Sequence, residues 1–598
     1  MKTFALLAVS LLTLSACTST SNIAQSSNTI ELNASQQALT AIIAEYKSIN
    51  QHYQPLWHSD YQDNNTKLPD LSPATLEQHH QALTAIYNKL MKISASELGE
   101  QQQIDLSVLS YRIKNELDQY RFNSHYMPFT AESGFHTGIS FLPNQSAFNT
   151  EQDYLNYFKR LAALPKYFDQ QMYWMKQGLA VGATQPKAVL KGYEQSISAY
   201  IKDKPEDSVY FQPLKRLPKH FNDQQKQRLI ELAKASIEKN VFPSYQGYYD
   251  FMVEQYLPQA RNDIAASTLP DGQAFYDNRV KHFTTLDMAA EQVHAIGLEE
   301  VKRIRAEMDA IIKQTGFTGS FAEFVHFLRT DPQFYATTPE QLLKEASFIA
   351  KKMDAKLPSL FKTLPRNPYG IEPVPANIAP KYTTGRYSSP SRDDQAGSYW
   401  VNTYRLDRRP LYVLEALTLH EAVPGHHLQG ALTRELENVS EFRNHTYISA
   451  FGEGWGLYAE YLGKEAGFYQ DAYSEFGRLT YEMWRACRLV VDTGMHVKGW
   501  SRQRAMDYLA SNTALSLHNV QTEIDRYISW PGQALSYKIG ELTIKRLRAQ
   551  AEQKLGEHFD LRDFHDQILK NGSMPLSMLE KLINQYIEQQ YALANQQK

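Results

Sequence analysis

Between Leu414 and Leu432 the chain reads LEALTLHEAVPGHHLQGAL, and within eight residues of otherwise apolar text it carries His420, Glu421, His426 and His427. Two histidines on one face of a helix can hold zinc, and a glutamate beside the first can take a proton from water, which is hydrolytic metal chemistry. Here position i+4 from His420 is Pro424, so the second histidine does not fall one regular turn away. On an ideal helix His426 points about 120° away from His420, whereas His427 returns to nearly the same face about 10.5 Å further along. Pro424 removes a backbone hydrogen bond and Gly425 permits a bulge, so a kink is expected that brings either His426 or His427 to the ion. The competing reading is a solvated helix face. The flanking ALTL and GAL argue instead for a buried and therefore paired cluster.

A third ligand is expected from a later helix, and AFGEGWGLYAEYLGKEAG offers Glu453 at the start of a helical run. Glu460, about two turns on, shares its face and could hydrogen-bond a ligand from behind. A carboxylate favoured by the dipole at a helix N-terminus is the plain alternative for Glu453. Hydrolysis also needs donors for the oxyanion that develops at the attacked carbonyl. Tyr527, His496 and Tyr537 are the candidates, in EIDRYISWPGQALSY and DTGMH. Each could equally be an ordinary core group. Arg526 could pair bidentately with a substrate carboxylate or neutralise Asp525 or Glu523.

HEAVPGHHLQ, EGWGLYAE, the stretch from Arg488 through DTGMHVKGW, and EIDRYISWPGQALSYKIG together resemble the bacterial domain-of-unknown-function family 885 (DUF885). FAEFVHFLRTDPQFY and TTLDMAAEQVHAIGLEEVKRI extend the resemblance over most of the mature chain. The resemblance implies a mainly helical protein related to gluzincin metallopeptidases, such as the thimet-oligopeptidase-like and carboxypeptidase-Taq-like enzymes, which use HExxH and a distant Glu. The longer spacing here leaves open which of His426 and His427 is the ligand. Dipeptidyl peptidase III, with one residue inserted in its motif, is similar in this respect. Related gluzincins also draw their oxyanion donors from a His or Tyr downstream of the third ligand, which orders Tyr527 ahead of His496 and Tyr537.

The elements that must position these groups are helices. From about Ala34 to Ser124, apolar residues recur at three and four, as in QQALTAIIAEYKSI and IDLSVLSYRIKNELDQYRF. A Gly- and Pro-spaced stretch from Met127 to Thr150 is a candidate substrate wall or a surface excursion. Helical text then resumes, with Tyr154, Tyr157 and Phe158 expected in the core. Thr285 or Asp287 is expected to cap a long helix on which His294 is a structural group. Eight prolines between Pro358 and Pro410 interrupt the helical pattern, and within them GSYWVNTYR is the best strand candidate. The expected architecture is mainly α: a large two-lobed helical zinc-peptidase-like fold with a deep cleft and a small β element before the HEAVPGHH helix. Its N-terminal helical region spans residues 32–357 and its catalytic region 358–598, a junction that could be a seam within one domain.

The address is written at the N-terminus. Lys2 and the run FALLAVSLLTLSA, too short to span a membrane, have the layout of a secretory signal. Leu14, Ser15, Ala16 and Cys17 resemble a lipobox, which implies removal of residues 1–17 up to a lipidated Cys17. Residues 18–31 then read as a flexible tether, and Thr18 favours the outer membrane facing the periplasm. A plain signal peptide is the alternative. Cys487 is the one other cysteine, so a lipidated Cys17 leaves no disulfide within the chain, and stability must come from a large core. A net charge of −3 with 21% charged residues gives no sign of a nucleic-acid partner. Together these features predict a membrane-anchored zinc peptidase acting on short peptides. A metal-dependent hydrolase of a non-peptide amide or ester, and an inactive zinc-containing binding or scaffold lipoprotein, are the alternatives, and retention of Glu421 argues against the last.

Overall fold

The computed structural model describes residues 32–56, 66–376, 378–390, 394–437 and 439–596. The lipobox Cys17 and the tether 18–31 lie outside them. The expected N-terminal helices form as α1 (Ala34–Tyr53), α2 (Pro73–Leu90) and α3 (Glu100–Arg121). Leu39, Ile42 and Tyr46 on α1 meet Leu83, Ile86 and Leu90 on α2, each set spaced at three and four, and with Leu109 and Ile113 of α3 they close a small separate core. Asn33 and Gln36 bond reciprocally to each other's backbone N–H at 2.9 and 3.0 Å, which fixes where α1 begins.

The other face of α3 joins the main core through Ile104 and Val108. That core is one continuous hydrophobic cluster reaching Ile587, with Tyr154, Tyr157 and Phe158 inside it as expected. It therefore crosses residue 358 without dividing. Across that point the helix Ala290–Gln314 packs along the helix Ala472–His496. His294 is structural, its Nδ1 lying 2.8 Å from Thr493 Oγ1. The expected cap is corrected. Thr285, with φ of 56°, ends the preceding helix Gly272–Thr284, while Asp287 pairs with Lys281; Gln292 instead reaches back to Ala289 N–H at 2.9 Å.

The strand read in GSYWVNTYR is β3 (Gly397–Val401), the centre of a three-stranded sheet. It pairs in parallel with β1 (Tyr369–Pro373) and antiparallel with β2 (Gly385–Ser388), both hidden in the proline-rich text. Tyr399 and Val401 point inward and β2 lies against the helix Leu414–Glu421, so the sheet props the first histidine helix from one side. Among the described residues no helix is long and apolar enough to cross a membrane.

The helix Ala472–His496 is buried along nearly its whole length yet carries Arg478, Glu482, Arg485, Arg488, Asp492 and His496. Buried charge is tolerated only where it is paired. Arg478 binds Glu482 at 2.8 Å, Glu482 binds Lys538 at 2.9 Å, and Asp492 accepts from Tyr276 Oη at 2.6 Å and Gly532 N–H at 3.2 Å.

Candidate metal centre

The HEAVPGHH segment is not one kinked helix. One helix ends at Glu421, a second starts at His426, and the four residues between them leave helical geometry, with ψ of −113° at Ala422 and −130° at Gly425. The chain doubles back on the carbonyl of His420 so tightly that a Cβ on Gly425 would stand 1.9 Å from that oxygen, so only glycine fits. Trp455 Nε1 donates to Pro424 O at 2.8 Å and clasps the break to the helix Ser449–Glu465. The sequence pointed to a break at Pro424 and Gly425; its depth follows from this second helix, which periodicity does not show.

The break decides between the two histidines. His426 turns towards His420, with ring centroids 4.7 Å apart and planes nearly perpendicular. Glu453 Oε2 lies 3.5 Å from His420 Nε2 and 3.3 Å from His426 Nε2. Zinc bonds of about 2.0–2.1 Å in tetrahedral geometry put donors roughly 3.3–3.4 Å apart, so both spacings fit one ion with almost no movement. Among the described residues His420, His426 and Glu453 offer donor atoms all within 4.8 Å of one another. Three protein donors would leave the fourth position of a tetrahedral ion open. His427 points away: its Nδ1 is 3.1 Å from Tyr387 Oη and its ring centroid 4.4 Å from that of Tyr369, and burial pushes it down to about 4.

The helix Ser449–Glu465 sets the first histidine from two sides. Gly456 leaves room for the ring, since a Cβ there would meet His420 Cε1 at 2.7 Å. Glu460 Oε1 lies 2.7 Å from His420 Nδ1, an arrangement that keeps a proton on Nδ1 and aims Nε2 at the space it shares with Glu453. Glu460 is itself held by Arg485 at 3.1 Å. Burial opposes charge on His420, but the carboxylates of Glu453 and Glu460 outweigh it and push the imidazole up to about 9. Burial likewise opposes ionisation of Glu453, yet His426 and His420 hold it well below the usual carboxylate range. Both shifts have one origin, since the imidazole and the carboxylates each stabilise the other's charged form.

Glu421 faces the same space. Its Oε2 accepts from Tyr387 N–H on β2 at 2.8 Å, which fixes the carboxylate beside the histidine pair. Around these groups lies a cavity of about 1580 Å³, lined by His420, Glu421, His426 and Glu453 together with Tyr447 and Tyr537. Such a volume exceeds the roughly 300–1,000 Å³ of drug-sized sites and suits an extended substrate. The N-terminal region supplies part of the wall through Tyr111 on α3 and through Glu132, which lies in the stretch singled out as a candidate substrate wall.

The other candidates divide. Tyr537 lines the cavity with its ring centroid 6.5 Å from that of His420. Tyr527 does not line it: its hydroxyl donates to Glu523 at 2.7 Å and accepts from Arg488 and Trp484 at 2.7 and 2.9 Å. His496 is wholly buried, accepting from Ala266 N–H at 3.0 Å and donating to Tyr527 O at 3.0 Å. Both are remote from the open position because they cement the helices behind it. Arg526 reaches the cavity wall but is engaged by Gln533 at 2.6 Å and Glu523 at 3.2 Å. Sequence reasoning missed Tyr447, whose hydroxyl donates to Glu453 Oε1 at 2.8 Å. It sits in the short irregular stretch before the helix of Glu453, where no periodicity marks it.

Several known proteins share this architecture. A solved structure described as "the putative lipoprotein from Colwellia psychrerythraea" superposes with a TM-score of 0.86 at 28% identity, covering 93% of this chain and 100% of that one. A second, "a putative lipoprotein of unknown function from Shewanella oneidensis", matches at a TM-score of 0.70 and 16% identity, over 92% of this chain and 100% of that one, a likeness of fold. No curated protein matches the sequence. Residues 55–583 match the family described as "Bacterial protein of unknown function (DUF885)", and with that span of agreement the chain belongs to it.

Proposed function

We propose that this protein is a zinc-dependent peptidase that hydrolyses short peptides, with His420, His426 and Glu453 holding the ion and Glu421 as general base. The observation that carries the reading is the convergence of those three donors, within 4.8 Å of one another and with Glu453 at tetrahedral spacing from both histidines, on a cavity that also receives Glu421. A helix-borne carboxylate as third donor also supports the likeness to gluzincin peptidases.

A zinc ion supplies Lewis-acid chemistry there, lowering the pKa of water towards about 7 and polarising a carbonyl. The rest falls to the chain. Glu421, anchored through Oε2, takes the proton of the attacking water on Oε1 and later delivers it to the leaving amine. Tyr537 donates to the carbonyl oxygen as negative charge develops on it. Glu460 keeps the proton of His420 on Nδ1 throughout. A lipid anchor at Cys17 holds the enzyme at the cell envelope, which the lipobox and the descriptions of the two structural relatives as lipoproteins support; Thr18 after the cysteine favours the outer membrane, facing the periplasm.

Metal analysis of purified wild-type protein is expected to give one zinc per chain, and absence of stoichiometric zinc would sink the scheme. Glu421→Gln is expected to keep the zinc and lower turnover of a peptide library at least 100-fold, in line with the roughly 10²–10⁴-fold worth of a general base. Full activity in that variant would point to another mechanism.

A further inference from the structure

The helix Ala472–His496 presents Arg485 and Arg488, one turn apart, to the cavity that holds the histidine pair. Arg488 is 2% exposed. Its Nε donates to Tyr527 Oη at 2.7 Å and its Nη2 to Glu523 Oε2 at 3.0 Å, while Cζ lies 4.0 Å from the Tyr537 ring centroid. Its third nitrogen, Nη1, is buried with no hydrogen-bond partner, and the same holds for Nε of Arg485. Glu523 serves Arg526 as well, at 3.2 Å, so the two guanidiniums share one hydrogen-bonded carboxylate, with Glu132 on the same cavity wall as the next nearest counter-charge. A buried cation with an unused donor is costly unless an anion completes it. Arg526 has no such buried unpartnered nitrogen, and Gln533 and Glu523 engage its two terminal nitrogens.

The position suits one particular anion. Tyr537 lies 4.0 Å from the Arg488 guanidinium and 6.5 Å, centroid to centroid, from His420. The guanidinium is thus no farther from the His420 ring than those two lengths laid end to end. With each residue of extended chain spanning about 3.3–3.6 Å, that upper limit is the reach of at most about three residues beyond a carbonyl attacked beside His420. We propose that Arg488 reads the free C-terminal carboxylate of a short peptide, so that the site takes the C-terminal end of its substrate. Tyr527 and Glu523 are then positioning residues that orient the guanidinium.

The inference takes its substrate from the peptidase reading, but a binding measurement tests it without turnover. Glu421→Gln protein, as purified, is titrated calorimetrically with acetyl-Ala-Ala-Phe and with the C-terminal amide of the same peptide. The acid is expected to bind at least 30-fold more tightly, and Arg488→Gln in the same background to bring the two within threefold at unchanged zinc content. An acid preference that survives Arg488→Gln, as direct coordination of the carboxylate to the ion would produce, overturns the proposal. Equal binding of acid and amide by the Glu421→Gln protein overturns it too, as does binding of neither. That comparison needs no change at Arg488, so it stands even where the arginine variant fails to fold. Wild-type protein that prefers the acid through Arg488 yet cleaves no peptide would support the carboxylate site and defeat the peptidase reading.

Discussion

Glu460→Gln separates the work of the ligands from the work of the residue behind them. Glu460 touches no substrate space; it meets His420 Nδ1 at 2.7 Å and Arg485 Nη2 at 3.1 Å, both wholly buried. The substitution keeps the shape and an acceptor oxygen but removes the charge that makes the imidazole a stronger donor to the ion and that neutralises Arg485. Carboxylates in this position are worth about 10–100-fold in metal affinity, or about 1.4–2.7 kcal/mol. The upper half of that range is expected here, because the pair is buried and Arg485 loses its carboxylate as well. The assay is competition between the protein and a chromophoric chelator of known zinc affinity at constant pH, with circular dichroism to check the fold. A folded variant whose zinc affinity stays within twofold of wild type would refute the argument that His420 is tuned from behind.

Other outcomes follow from the same geometry. His426→Ala is expected to lose zinc by more than 100-fold in affinity while His427→Ala retains it within about threefold, measured in the same competition assay. Gly425→Ala would force its Cβ into the His420 carbonyl, so it should lower stability by about 1–3 kcal/mol or more in denaturant titration and release the zinc together with it. Burial pushes the Asp492 carboxyl up to about 7, with the bonds from Tyr276 and Gly532 opposing that shift only in part. Its contribution to stability is therefore full below its ordinary value near 4 and is lost as pH rises through about 7, at up to about 1.4 kcal/mol per unit. Asp492→Asn should remove that slope, and a denaturation midpoint whose fall between pH 4 and 7 is the same in both proteins would count against the assignment.

Much of this could be read from the chain because local rules govern it. The spacing of Leu39, Ile42 and Tyr46 announces a helix whose buried face is then found, and GSYWV between turn residues announces the central strand. His420, Glu421 and Glu453 stood out because charged groups in apolar text must be paired. What stayed hidden depends on contacts distant in sequence. β1 and β2 carry too few apolar residues to declare themselves and become strands only by pairing with β3. The choice of His426 over His427 rests on the turn clasped by Trp455, thirty-one residues away from Pro424. Tyr527 and His496 looked catalytic for the reason that makes them structural: a polar group in a buried helix needs partners, and theirs are Glu523, Arg488 and the backbone of Ala266.

One face of the helix Ser449–Glu465 carries Glu453, the gap at Gly456 and Glu460, and its Trp455 grips the carbonyl before the second histidine. This helix works as a jig on which the whole proposed ligand set is laid out. The interval between the two histidines is consequently free of the helical repeat: any loop that returns the second imidazole to the jig would serve, whatever its length. A search for metal sites keyed to a fixed number of residues between histidines passes over such a centre, whereas a search keyed to the carboxylate helix, with its Glu, its glycine three residues on and its second Glu four beyond that, would find it.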